Sequence, residues 1–238
     1  MGAEVRRVAE TSLGKPLVLV DVQEGYRLWS GTYDRDPNPV LALDRRVIRE
    51  RLGPLSGRCV LDIATGTGFW LEFALSRGAR AFGIDLSHEM LAAAAGKPGL
   101  RNHLIRGDMK LLPLKDAVAD VAICSLAVGY LPSIRNLFRE LARVARRVIV
   151  SDLHETAVQA GWRRCFEVAG RRYEIQHYEH SVAELDEMAS SAGLRVDWRV
   201  AARLAEPERP FFVQAGREYA FETASQIPAV LSTCWSKS

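Results

Sequence analysis

An α/β domain built on a doubly wound, mostly parallel, seven-stranded sheet is the fold class predicted by three features of the sequence. Short runs rich in Val and Ile alternate with helix-compatible stretches, the order produced by right-handed strand–helix–strand crossovers. Several of those runs lack polar alternation, as strands buried on both faces do. A glycine-rich loop follows the first of them, at the point where an open parallel sheet binds its ligand.

Each element follows in order. Residues 59–64 (CVLDIA) read as the first strand, followed by the loop and a helix over 69–77 that Gly78 stops. Residues 80–86 (RAFGIDL) form the second strand, and Ser87 is placed to cap a helix over 89–95. A short third strand, 102–106, ends in Gly107-Asp108. Residues 120–126 (DVAICSL) form the fourth. Ile134, Leu137, Phe138, Leu141 and Val144 recur at helical spacing within 133–145, and residues 147–153 (RVIVSDL) form the fifth strand. Beyond it the pattern loosens. A hairpin over 164–168 and 172–177 turns at Ala169-Gly170, and Ser181 and Gly193 bracket a helix over 182–191. Two late strands, 195–203 and 229–235, supply an antiparallel edge strand. Residues 1–56, with a helix over 40–52, form an N-terminal helical extension or lid across the mouth of the sheet. Residues 57–238 form the main domain, with a capping insertion after strand five at about 154–180.

Composition narrows the function classes. A chain of 238 residues with 48% hydrophobic and 26% charged residues buries one substantial core. Its net charge of +3 is dispersed over both signs, so no basic stripe marks a nucleic-acid partner. No apolar run approaches the roughly 20 residues of a membrane span. The two N-terminal arginines precede no long apolar core, so no signal peptide is read there. Cys59, Cys124, Cys165 and Cys234 lack metal-ligand spacing and fit a reducing, cytoplasmic protein without disulfides or metal.

The chemistry concentrates after the first strand. Gly66 and Gly68 permit a tight turn and close backbone approach to a ligand, and the helix beginning near Phe69 aims free N–H groups at the same spot. Asp85, at the end of the second strand, is placed to accept hydrogen bonds from both hydroxyls of an adenosine ribose. The third glycine of a dinucleotide fingerprint is missing, its place taken by Leu71. Asp62 would repel a pyrophosphate and welcome a cofactor carrying sulfonium and ammonium groups. The electrostatics therefore favour S-adenosylmethionine.

The run Leu61 to Gly68 resembles the first motif, LDxGxGxG, of class I (Rossmann-like) S-adenosylmethionine-dependent methyltransferases of small-molecule type. The resemblance covers roughly residues 26–200. It implies that Ala64, Thr65, Gly66 and Gly68 cradle the cofactor's methionine and ribose, that Asp85 holds the ribose hydroxyls, and that Asp108 and Met109 meet the adenine amine. It places Leu86 and Met90 on the adenine faces and Ser125 and Leu126 beside the methyl donor. Tyr33, in the segment from Tyr26 to Asp34, would reach the methionine carboxylate or the methyl, or else anchor the extension with Trp29. Three departures stand out. Ala64 replaces the motif's first glycine, no Pro-Gly-Gly turn precedes strand five, and Tyr130 occupies a position where relatives often carry His.

For an oxygen acceptor a base would help, and histidine is the usual one. His154 follows strand five, and His177 and His180 lie in the cap, so these three and Tyr130 are the catalytic candidates; a structural role fits each histidine as well. Trp162, Phe166, Tyr173 and Tyr178 suit a planar, apolar pocket. Arg163, Arg164, Arg171 and Arg172 suit an acidic substrate or a solvated face. The expectation is methyl transfer to O, N or C of a small, aromatic metabolite, with S-adenosyl-L-homocysteine as product, by a monomer or homodimer. Its rivals are a tRNA or other macromolecule methyltransferase, which the Ser125-Leu126-Ala127-Val128 sequence in place of an NPPY-type motif disfavours, and a non-catalytic cofactor-binding scaffold subunit.

Overall fold

The computed structural model describes residues 8–10 and 16–237; the N-terminal arginines lie outside them. A seven-stranded sheet forms the centre. Its strands are β3 (Cys59–Ile63), β4 (Arg80–Asp85), β5 (Leu104–Arg106), β6 (Ala119–Ser125), β7 (Ala145–Leu153), β10 (Leu194–Ala202) and β11 (Val230–Lys237), in the order β10-β11-β7-β6-β3-β4-β5. From β7 to β5 the neighbours are parallel. Near the other edge β11 runs against both β7 and β10, so the expected antiparallel strand is present.

Strand alternation sorts the core into two layers. Val60, Val121, Ile123 and Ile149 face Ile48 and Leu52 of α2 (Pro39–Leu52) and Trp70, Leu71 and Ala74 of α3 (Phe69–Ser76). Leu61, Ala122, Cys124, Val148 and Val150 face Leu137, Phe138 and Leu141 of α5 (Arg135–Val144) and Leu185 and Met188 of α7 (Val182–Ser191). Helix α4 (His88–Ala95) begins where Ser87 accepts a hydrogen bond from the Met90 N–H, the N-cap its sequence signals. The chain order reverses at β3, where β4 and β6 flank it, and this switch point opens the crevice in which such sheets hold ligands.

A second, four-stranded sheet, in the order β1 (Val8–Glu10), β2 (Pro16–Val20), β9 (Arg171–Ile175), β8 (Cys165–Val168), exceeds what the sequence signalled. The expected hairpin is there as β8 (Cys165–Val168) and β9 (Arg171–Ile175), turning through Ala169 and Gly170, both with left-handed backbone. The extension contributes β1 (Val8–Glu10) and β2 (Pro16–Val20), and β2 pairs in parallel with β9. A run as short as PLVLV carries no marker of a partner so distant in sequence. Helix α1 (Val22–Trp29), capped by Asp21, leads from this sheet toward α2. After β7, α6 (Glu155–Gln159) precedes the hairpin. The polar stretch between β10 and β11 holds the short helices α8 (Arg209–Gln214) and α9 (Phe221–Ala224). Among the described residues no helix is long and apolar enough to cross a membrane.

Candidate active site

A cavity of about 460 Å³ opens over the carboxyl ends of β3, β4 and β6 and runs beneath α1, the N-terminus of α2 and the start of the hairpin. Its wall brings together Tyr33, Asp62, Ala64, Thr65, Gly66, Asp85, Leu86, Met90, Asp108, Met109, Ser125, Leu126 and Tyr130. Gly68 stands just behind it. With φ of +84° it starts α3, and a Cβ there would come within 2.8 Å of Leu100 Cδ1, so only glycine allows this packing.

At the β3–β4 end, backbone donors organise the acids. Asp85 accepts from the N–H of Gly66 and of Ser87, both at 2.8 Å, which locks the loop to the end of β4. Each carboxylate oxygen retains a further lone pair for a ligand hydroxyl. Asp62 accepts from Thr65 Oγ1 at 2.6 Å and from the Leu71 N–H at 2.9 Å. It is 2% exposed, and burial pushes its carboxyl up to about 7, which an adjoining cation would reverse. Asp85 is also raised by burial. Ala64 adopts a φ of +56° and Leu126 one of +53°, a left-handed backbone that costs a non-glycine residue about 1–2 kcal/mol; both sit on the cavity wall, where such strain concentrates. Asp108 accepts from the Lys110 N–H at 2.8 Å.

The segment after α1 is fastened over this end. Asp34 accepts from Thr67 Oγ1 at 2.7 Å and pairs with Lys97 at 2.7 Å, while Trp29 Nε1 donates to Asp36 at 2.7 Å. Tyr33 packs edge-on against Trp29, 4.8 Å between centroids. It therefore anchors the segment and lines the cavity at once. Sequence reasoning missed two residues of α2. Arg45 lies 3.7 Å over the Phe69 ring, on the cavity wall, with no hydrogen bond or ion pair among the described residues. Asp44, fully buried and pushed up to about 6 by that burial, accepts from Ser125 Oγ at 2.5 Å. A charge among Leu43, Val47 and Ile48 on the buried face of a helix was the available signal for Asp44; nothing marked Arg45.

The other end is aromatic and cationic. Tyr26 and Tyr130 share a hydrogen bond of 2.5 Å between hydroxyls. Arg164 donates to the Tyr130 hydroxyl at 3.1 Å and to the Leu126 carbonyl at 2.7 Å, and pairs with Asp152, which also accepts from the Gly129 N–H at 2.5 Å. Val40, Leu41, Leu153, Trp162 and Arg163 complete this wall.

The three histidines stand elsewhere. His154 caps α6, its Nδ1 accepting from the Thr156 N–H at 3.2 Å. His180 holds the Leu131 carbonyl with Nε2 at 2.9 Å and faces Glu184 with Nδ1 at 3.1 Å. His177 borders a separate void of about 20 Å³. Burial lowers the pKa of His154 and of His177. A strand-end position brings a side chain near a site, but hydrogen-bond partners decide where it points.

Comparison with known proteins agrees with this geometry. Residues 60–148 match the methyltransferase domain family. Malonyl-[acyl-carrier protein] O-methyltransferase from Pectobacterium atrosepticum is 36% identical over 121 residues, 49% of this chain and 46% of that protein. Demethylmenaquinone methyltransferase from Lactococcus lactis is 28% identical over 151 residues, 57% of this chain and 60% of that protein. The chain thus spans about half the length of the curated relatives it matches. An S-adenosylmethionine-dependent methyltransferase from Mesorhizobium loti superposes with a TM-score of 0.63 at 21% identity, covering 84% of this chain and all of that one. Matched in sequence over the very strands that build the cavity, and in fold over most of its length, the chain carries a methyltransferase domain over residues 60–148 within a class I, Rossmann-like fold.

Proposed function

We propose that this protein transfers a methyl group from S-adenosylmethionine to O, N or C of a small, aromatic metabolite. One observation carries the reading: a single cavity collects the acids, the glycine loop and the apolar side chains that such a cofactor requires, and continues into an aromatic chamber. The donor set fits. Asp85 suits a pair of ribose hydroxyls, Leu86 and Met90 flank the place for a purine, and Asp108 with Met109 suits its amine. Arg45, a cation without an ion-pair partner among the described residues, suits the methionine carboxylate together with Tyr33, while Asp62 suits the positive groups. When bound, the cofactor supplies an electrophilic methyl on a sulfonium.

What the chain then provides is chiefly positioning. Trp162, Leu126 and Leu153 offer a planar acceptor its faces, and Tyr26 and Tyr130 offer it hydroxyl groups. The extension, with α1 and the segment around Tyr33, acts as a lid, and the hairpin acts as the cap. The heterogeneous acceptors named for the relatives leave the substrate to the cavity's own chemistry. Calorimetric titration with S-adenosylmethionine and S-adenosylhomocysteine, alongside Asp85→Ala, tests the reading. Micromolar binding of both, lost in the variant, supports it; a folded protein that binds neither refutes it.

A further inference from the structure

We infer that the aromatic chamber is an oxyanion site, built for an acceptor that arrives already ionised, such as a carboxylate or an acidic enol. The inference rests on the cofactor reading above and narrows the acceptor class. Hydrogen-bond accounting is its first support. Tyr26 and Tyr130 carry two hydroxyl hydrogens, and one of them spans the 2.5 Å contact between them. Arg164 fills an acceptor position on Tyr130. Whichever way the shared hydrogen points, one O–H is left over, and neither hydroxyl has another hydrogen-bond partner among the described residues. The pair therefore presents a donor to the cavity that both rings line.

Charge placement is the second support. Arg163 and Arg164 reach the wall of the chamber. Their counter-charges stand behind it: Asp152 pairs with Arg164, and Glu174 lies 3.9 Å from Arg163. Asp44 is sealed beneath Ser125. The carboxylates that do line the cavity, Asp62, Asp85 and Asp108, belong to the cofactor end. A ligand in the chamber meets N–H and O–H donors first and anions only at second remove.

The third support is the missing base. His154, His177 and His180 all lie off this wall. An acceptor oxygen that enters ionised needs none. Its lone pair forms the new bond to the methyl carbon, the pair of the broken carbon–sulfur bond stays on sulfur, and no proton has to leave. Cation and anion neutralise one another, a change that a water-poor cavity favours.

Binding alone tests this, without knowledge of the natural substrate. The protein saturated with S-adenosylhomocysteine is titrated with naphthalene-2-carboxylate, its amide and naphthalene-2-methylamine, followed by tryptophan fluorescence. Saturation with S-adenosylhomocysteine is itself the control for the cofactor reading, so failure at that step is distinct. The carboxylate is expected to bind at least about tenfold more tightly than either congener, the worth of one hydrogen bond to a charged group. In Tyr130→Phe and Tyr26→Phe that preference should fall to about threefold or less. Equal or tighter binding of the amide or amine, no saturable binding of the carboxylate, or a preference kept intact in both variants would each overturn the inference.

Discussion

Asp62 makes the protein's stability answer to its chemistry. Its carboxyl stands at about 7 in the folded protein against an ordinary 3.8, because it is buried and its two hydrogen-bond donors do not fully compensate. The unfolded chain loses this proton near pH 4 and the folded protein only near pH 7. The stability Asp62 contributes is thus complete below about pH 4 and is lost as pH rises to about 7. At roughly 1.4 kcal/mol per pH unit the full span is worth about 4 kcal/mol. Asp62→Asn cannot ionise, and its amide oxygen can still accept from Thr65 and Leu71. The ligand-free variant should therefore match wild type at pH 4 and exceed it at pH 8 by about 2–4 kcal/mol, or roughly 5–15 °C in melting temperature. Urea unfolding across that range reads the difference directly. The same variant should bind S-adenosylmethionine at least about tenfold more weakly, since a cation loses its counter-charge. A variant no more stable than wild type at pH 8, or one whose advantage does not change with pH, would refute the reasoning.

Three other perturbations test separate parts of the structure. Asp85→Ala removes two charge-assisted hydrogen bonds from the glycine loop as well as the proposed contact to the ribose; calorimetry should show affinity for S-adenosylmethionine lowered about a hundredfold, from roughly 3 kcal/mol lost. Gly68→Ala adds a Cβ 2.8 Å from Leu100 at a φ of +84°, and should cost about 2–3 kcal/mol in chemical denaturation. Arg46→Ala strands Glu208, which is 1% exposed and held by a two-pronged contact at 2.8 and 3.0 Å. Loss of about 3–5 kcal/mol is expected, with unchanged S-adenosylhomocysteine affinity at temperatures where the variant stays folded.

The central sheet was legible because its strands are apolar without alternation and their helices are capped or stopped by single residues, Ser87 and Ser181 among them. The β3–β4 end of the cavity was legible for a related reason: the groups that line it are backbone turns and strand-end acids, whose positions topology dictates. The chamber was not. Tyr26 and Arg164 acquire meaning only through contacts between segments far apart in the chain, and a cation resting on Phe69 has no periodicity to betray Arg45. The histidines show the converse. His154 directly follows a strand at the right edge of the sheet, yet its ring is spent on the first turn of α6.

The parallel pairing of β2 with β9 also bears on the order in which the molecule is assembled. Those strands lie more than half the chain apart, so closing that contact costs far more chain entropy than forming the local crossovers around the glycine loop. The Rossmann-like half can take shape from neighbouring segments, whereas the aromatic chamber, the proposed acceptor site, is completed only when both distant strands have met. Amide exchange should accordingly find two cooperative units, with the small sheet opening at lower free energy than the large one. On the function proposed above, a protein made this way would acquire the means to hold a reactive methyl before it acquired the means to choose where that methyl goes.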